Sequence, residues 1–232
     1  MDISGLVLII EGIIGTGKTT FSKILSEELK CTWLREPDEE TGNPYLSKFY
    51  EDPKRWALTM QLHLLNIRFR MHKHAQWNSM QSGNNVVIDR SYFGDTAFAR
   101  LQLKNGTLTE DEFNTYKVCY HNMTSSVLLP QICIYLVSTP EVSANRIKNR
   151  MEIQTGRTCE NVIELKYLED LTIEEDNMVN ILDQQGVYVL RIPWNDNKSE
   201  DEIRLYIKEY IIPSLESYKV PDIFLDLHRR TI

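Results

Sequence analysis

The sequence predicts an α/β protein of three layers, in which a five-stranded parallel sheet is flanked by helices. Three observations predict it. Five short apolar runs read as buried strands: Leu6–Ile10, Thr32–Leu34, Val86–Asp89, Ile132–Val137 and Val187–Ile192. The segments between them are long and carry helical periodicity, so strands alternate with helices and imply parallel β-α-β units. The first run also feeds directly into a glycine-rich turn that opens a helix.

That turn reads Gly12-Ile-Ile-Gly15-Thr16-Gly17-Lys18-Thr19-Thr20, the spacing of a phosphate-binding loop with a strand before it and a helix after it. Glycines let backbone N–H groups converge on phosphate oxygens without a side chain in the way. Lys18 is placed to reach the outer phosphates, and the Thr19 hydroxyl to hold Mg²⁺. The helix that follows, from Lys18 to about Leu29, turns its positive end toward the same anion and keeps Phe21, Ile24, Leu25 and Leu29 on one face. The chain is therefore expected to bind a nucleoside triphosphate.

A second long helix is predicted from Pro53 to about Met80. Capping boxes at Thr109–Glu112 and Ser199–Glu202 open two more. Beyond Pro213 the chain reads as an irregular tail broken by Pro221. The 232 residues fit a single domain over 1–219 with a tail over 220–232. A net charge of −7 argues against a nucleic acid polymer as partner. Cys31, Cys119, Cys133 and Cys159 are scattered without metal spacing and read as reduced thiols. No signal peptide and no run of membrane-spanning length is visible, so a cytoplasmic protein is expected.

In open sheets of this kind ligands sit at the carboxyl ends of the strands, so the strand tips carry the candidate chemistry. The second strand ends in Arg35-Glu36-Pro37. A carboxylate there can face the γ-phosphate and accept the proton of an attacking hydroxyl, although Asp38, Glu39 and Glu40 also fit a solvated acidic loop. The third strand ends in Asp89-Arg90-Ser91. Asp89 is placed to support Mg²⁺ and Arg90 to neutralise a transferred phosphoryl group; a salt-bridged turn would read the same way. On the long helix Gln61 and Arg68 are seven residues apart and share a face, about 10 Å apart along the axis. Gln61 offers a paired donor and acceptor suited to a base edge. Asp95 is placed to partner Arg68, which on its own fits a solvated surface. The basic stretch over 146–160, with Arg146, Lys148, Arg150 and Arg157, fits a lid closing over phosphates or a solvated helix face. His72 and His74 lie two apart on a helix and do not share a face, which argues against a metal site. The four tryptophans read mostly as packing residues.

Taken together these motifs resemble the deoxyribonucleoside kinases, in particular the deoxyadenosine, deoxyguanosine and deoxycytidine kinase branch. The resemblance covers about residues 6 to 200 and rests on motifs in order: Glu11 to Thr19, Glu36-Pro37, Phe49-Tyr50 to Trp56 leading to Gln61, Asp89-Arg90-Ser91, and Gly156-Arg157 to Glu160 followed by Leu165 to Leu168. It implies the P-loop kinase fold and transfer of phosphate from ATP, with Mg²⁺, to the 5′-hydroxyl of a deoxynucleoside. It implies Glu36 as general base, with Lys18 and Arg90 stabilising the phosphoryl group. Gly12, Gly15, Thr16, Gly17, Lys18, Thr19, Thr20, Arg150 and Arg157 would hold ATP, and Thr19 and Asp89 the metal. Tyr50 and Glu160 would hold the 3′-hydroxyl. Gln61, Arg68 and Asp95 would read the base, and the charged pair argues against thymidine. The lid is longer than the family's Arg-Gly-Arg version, which leaves Arg150 and Arg157 as alternative phosphate contacts. The acids after Glu36-Pro37 lean toward the bacterial-type purine enzymes. Family members are commonly homodimers, and the helices at Pro53–Met80 and after Thr109 are the candidate interface. A thymidylate kinase and a non-catalytic nucleotide-binding relative are the competing readings; Asp38 in place of the glycine of Arg-Glu-Pro-Gly argues against the first, and the presence of Lys18, Thr19, Glu36 and Arg90 against the second.

Overall fold

Apolar side chains alternate along the central strands, and that alternation builds two cores on opposite faces of one sheet. In the computed structural model, which describes residues 5–36, 43–153 and 163–218, the strands are β1 (Val7–Glu11), β2 (Thr32–Leu34), β3 (Val86–Asp89), β4 (Ile132–Val137) and β5 (Tyr188–Pro193). They run parallel in the order β2-β3-β1-β4-β5. Leu8 of β1 sits level with Val87 and Ile132, and Ile9 with Ile88 and Cys133.

The helices are α1 (Lys18–Glu28), α2 (Leu46–Glu51), α3 (Pro53–Ser82), α4 (Tyr92–Lys104), α5 (Glu110–Thr124), α6 (Pro140–Ile153), α7 (Leu165–Gln184), α8 (Glu200–Tyr206) and α9 (Ile212–Glu216). Leu8, Ile10, Val87 and Ile134 pack with Phe21, Ile24 and Leu25 of α1 and Ile203 of α8. Val7, Ile9, Ile88 and Tyr135 pack on the other face with Leu65 of α3, Tyr92 of α4, Tyr116 of α5 and Met178 of α7. Strands buried on both faces have no polar side to show, which is why they read as unbroken apolar runs. Among the described residues no helix is long and apolar enough to cross a membrane.

The expected helix starts at Thr109 and Ser199 form with both halves of the capping box in place. The last strand begins one residue later than expected, because Val187 N–H is spent on Leu182 O in the turn that closes α7. The stretch after Pro213 is a correction. The chain passes from α8 through a π turn over Ile207–Ile211 into α9, and Ile207, Ile211 and Leu215 extend the buried stripe. Pro213 follows directly on the π turn, where Ile212 N–H reaches back five residues to Ile207 O, and the helix continues past a residue that cannot donate. Residues 219–232, the rest of the expected tail, lie outside the described residues.

Candidate active site

The loop after β1 leaves the start of α1 open to an anion. Gly15 holds φ +81°, and a Cβ there would lie 2.6 Å from Ser143 O; Gly12 holds φ +149°, and a Cβ there would lie 2.7 Å from Leu136 O. Only glycine fits such close approaches with this backbone. α1 starts with Gly17 at its N-cap, no side-chain cap and no acid in its first turn, whereas α5 and α8 are boxed at theirs. Its first N–H groups and the positive helix end are therefore available to phosphate oxygens. Gly15, Gly17, Lys18, Thr19 and Thr20 line a cavity of about 480 Å³. Gly12 and Thr16 do not line it. Thr16 is buried and turns its hydroxyl onto Ile13 O at 2.8 Å, so it shapes the loop. Lys18 Nζ donates to the same carbonyl at 2.7 Å. Burial, aided by the charge of Arg90, pushes its ammonium down to about 7. A polyanion at the loop would favour the charged form.

Arg146, the first basic residue of the stretch read as a lid, lies on α6 and lines the cavity with every guanidinium N–H already used. Nε donates to Asn197 Oδ1, Nη1 to Thr16 O and Trp194 O, and Nη2 to Asn195 O and Asp196 O, at 2.8–3.2 Å. It fastens the phosphate loop to the segment after β5. Arg150 also lines the cavity. Arg157 and Glu160 lie outside the described residues, as does Pro37.

Across the cavity the tips of β2 and β3 bring opposite charges together. Glu36 is gripped by two guanidiniums. Arg68 Nε donates to Oε1 at 3.0 Å and Arg68 Nη2 to the same oxygen, while Arg90 Nε reaches Oε2 at 3.2 Å. Burial pushes the Glu36 carboxyl up, but Arg68 and Arg90 outweigh it and hold it below the usual carboxylate range. Both guanidiniums lie over the Phe98 ring, at 4.9 Å for Arg90 and 5.8 Å for Arg68. Arg90 adopts φ +65°, an unfavourable conformation for a residue with a Cβ. A second anchor holds it there: its Nη1 donates to Glu175 Oε1 of α7 at 3.1 Å. Glu11 ties the same turn to β1, accepting from Ser91 N–H at 2.8 Å and from Ser91 Oγ at 2.5 Å.

Asp95 does not line the cavity; it is fully buried behind the wall between α3 and α4 and positions the residues that do. Arg68 Nη1 donates to Asp95 Oδ1, and Tyr116 Oη to Oδ2 at 2.8 Å. Gln61 Nε2 donates to the main-chain carbonyl of Asp95 at 2.9 Å, and Gln102 Nε2 donates to Gln61 Oε1 at 3.0 Å. The expected Arg68–Asp95 pair is thus present, and the same arginine links it to Glu36. Tyr50, Gln61, Arg68, Phe98 and Gln102 all line the cavity.

The model of the deoxynucleoside kinase family matches residues 8–211. The chain belongs to the deoxynucleoside kinase family. It is 31% identical to a deoxyadenosine kinase of Dictyostelium discoideum over 207 residues, which cover 89% of this chain and 80% of that one. It is 32% identical to a deoxyadenosine/deoxycytidine kinase of Bacillus subtilis over 208 residues, covering 85% and 89%. A solved structure of deoxyadenosine kinase from M. mycoides with bound dATP superposes with a TM-score of 0.72 at 26% identity, over 91% of this chain and all of that one.

The kinase contains functional neighbours that its motifs did not announce. Glu175 occupies a position in the buried stripe of α7, between Leu171 and Met178, where apolar periodicity calls for a hydrocarbon. A carboxylate there is the signal that could have found it. Burial, with Glu11 adding repulsion against the pull of Arg90, moves its carboxyl up to about 7. His72 is a core residue whose Nε2 faces Leu128 O at 3.0 Å.

The chemistry of Asp89 and Thr19 suits Mg²⁺. Asp89 is 1% exposed, and its Oδ1 has no hydrogen-bond partner among the described residues. Its carboxyl is hydrogen-bonded with the Thr19 side chain. A hydroxyl beside an unspent carboxylate oxygen gives hard oxygen ligands, and Mg²⁺ takes the rest of its shell from waters and phosphates.

Proposed function

We propose that this kinase transfers the γ-phosphoryl group of ATP to the 5′-hydroxyl of a deoxyribonucleoside in nucleotide salvage, with deoxyadenosine, deoxyguanosine or deoxycytidine as acceptor. The observation that carries the reading is the position of Glu36, an ionised carboxylate held by Arg68 and Arg90 across the cavity from the uncapped start of α1. The names of the relatives, which include a deoxyguanosine kinase of Dictyostelium discoideum, point to the same acceptors.

In this reading the α1 N–H groups, Lys18 and the lid arginines Arg150 and Arg157 hold the triphosphate. Thr19 and Asp89 would hold Mg²⁺, which supplies neutralising charge on phosphate oxygens. Glu36 takes the proton of the 5′-hydroxyl as that oxygen bonds to phosphorus. Lys18 and Arg90 stabilise charge spreading over the phosphoryl oxygens. Tyr50 and Glu160 hold the 3′-hydroxyl and set the 5′-oxygen in line. Gln61, Arg68 and Asp95 choose the base. The reading includes a cytoplasmic site of action, where ATP is at hand. It also includes a homodimer through α3 and α5, which carry the exposed apolar residues Trp77, Met80 and Val118; sedimentation of the free protein tests the dimer.

The test is a coupled assay of ADP formation with the four deoxynucleosides, their ribo counterparts and thymidylate. Turnover with purine deoxynucleosides or deoxycytidine is expected. Turnover with thymidylate alone, or with none of the panel, overturns the reading.

A further inference from the structure

Gln61 is fully buried, lines the cavity, and has its amide fixed one way round. The main-chain carbonyl of Asp95 only accepts, so the group facing it at 2.9 Å must be Gln61 Nε2. The Asp95 carboxyl draws on the same amide. Gln61 Oε1 is thereby turned the other way, toward Gln102. An oxygen needs a donor opposite it, so Gln102 presents its own Nε2, at 3.0 Å. Two amides are thus ordered in series by one carbonyl. The series ends at Gln102 Oε1, which is buried and has no hydrogen-bond partner among the described residues. Gln102 is 2% exposed and also lines the cavity. Were Gln102 turned over to satisfy that oxygen, two amide oxygens would face each other. Were Gln61 turned over, its oxygen would face Asp95.

We propose that Gln102 is a specificity-determining residue that locks the Gln61 amide in one orientation, so that Gln61 turns an acceptor oxygen to a base bearing an exocyclic amino group. The inference rests on the deoxynucleoside kinase reading and names what the base end of that site selects. Gln61 keeps one lone pair on Oε1 for the base, while Gln102 Oε1, closed off from the cavity, acts only by fixing which way its own amide stands. Adenine and cytosine carry an amino donor where hypoxanthine and uracil carry a carbonyl oxygen. A free glutamine serves either pattern by rotating its amide; a locked one does not. Rejection of the oxo base follows from oxygen facing oxygen inside a buried site, which among the three acceptors ranks deoxyguanosine, with its 6-oxo group, below deoxyadenosine and deoxycytidine.

The experiment measures kcat/KM for deoxyadenosine against deoxyinosine and for deoxycytidine against deoxyuridine, in the parent and in two variants. Gln102→Met keeps the length and volume and removes the donor. Gln102→Glu replaces the donor with acceptors only. Melting temperatures report whether each variant folds. The parent is expected to favour the amino base of at least one pair by about tenfold or more. In Gln102→Met that ratio falls toward one, through KM, with kcat for the better substrate kept within about threefold. Gln102→Glu lowers the ratio as well, because Gln61 must then turn its nitrogen to the new carboxylate. A change that merely loosened packing would lower both members of a pair alike and leave their ratio in place. A parent that prefers the oxo bases, or a parental ratio kept within about twofold in both folded variants, overturns the inference while the kinase reading stands. A parent inactive on every deoxynucleoside overturns the kinase reading and the inference with it.

Discussion

Acidification should destabilise this kinase through one histidine, and the size of the effect follows from the packing. His72 is fully buried on α3, the helix that also carries Gln61 and Arg68. Its ring lies edge-on to Tyr92 at 4.9 Å and to Phe93 at 6.1 Å, at the start of the helix that carries Asp95. The Leu128 carbonyl fixes the proton on Nε2. Nδ1 is buried without a partner among the described residues, so a second proton has nowhere favourable to go. Burial pushes the ring down to about 4 from its ordinary 6.5. The folded state therefore binds this proton less readily than the unfolded chain. The contribution is complete above pH 6.5 and is lost as pH falls through 4. The full span is about 3.4 kcal/mol, of which about 2 kcal/mol is gone by pH 5. Other carboxylates titrate in the same range, so the measurement is a difference. His72→Gln keeps a donor for Leu128 O and has no titrating group. Urea unfolding at pH 8 and pH 5 should show the parent losing about 2 kcal/mol more than this variant. Parallel losses, within about 0.5 kcal/mol, would refute a neutral buried imidazole.

Three further outcomes follow from the site. Asp95→Ala leaves buried Arg68 with Glu36 as its remaining carboxylate and takes the acceptor from Tyr116 Oη, so it should cost about 2–3 kcal/mol in unfolding, whereas Arg68→Met with Asp95→Ala should recover part of that stability and admit thymidine; an unchanged substrate order in the double variant counts against the pair as a base reader. Glu175→Gln keeps an acceptor for Arg90 but removes the charge, so at pH 8, above the carboxyl's raised range, kcat should fall about tenfold with the nucleoside KM little changed, and an unaltered kcat would show that Arg90 needs no second negative charge. Arg146→Lys cannot reproduce five directed bonds, so it should lower stability by about 2–4 kcal/mol and raise the KM for ATP, as thermal unfolding and a donor titration would read.

What the sequence made legible, and what it hid, follows from the range of the signals. Val86–Asp89 and Ile132–Val137 were readable to the residue because buried parallel strands carry apolar side chains on both faces. The phosphate loop and the Asp89-Arg90 tip were readable because their residues are consecutive. Pro213 misled, since its effect depends on where in a helical turn it falls, and a π turn before it leaves no local mark. The link from Arg68 to Glu36 joins residues 32 apart, and that from Arg90 to Glu175 joins residues 85 apart. Neither has a spacing to recognise. Gln61, Arg68 and His72 interrupt the buried face of α3, as Glu175 interrupts that of α7. Such polar breaks in an apolar stripe carry information, yet they identify a partner only once the helices are packed.

The proposed phosphoryl transfer turns on Glu36, held ionised between Arg68 and Arg90, accepting the proton of the 5′-hydroxyl. Glu36→Gln tests it most directly, with nucleoside binding measured by calorimetry beside kcat in the coupled assay. The expected result is a dissociation constant within a few-fold of the parent and a kcat lower by about 10²- to 10⁴-fold. Near-normal turnover in that variant would contradict it.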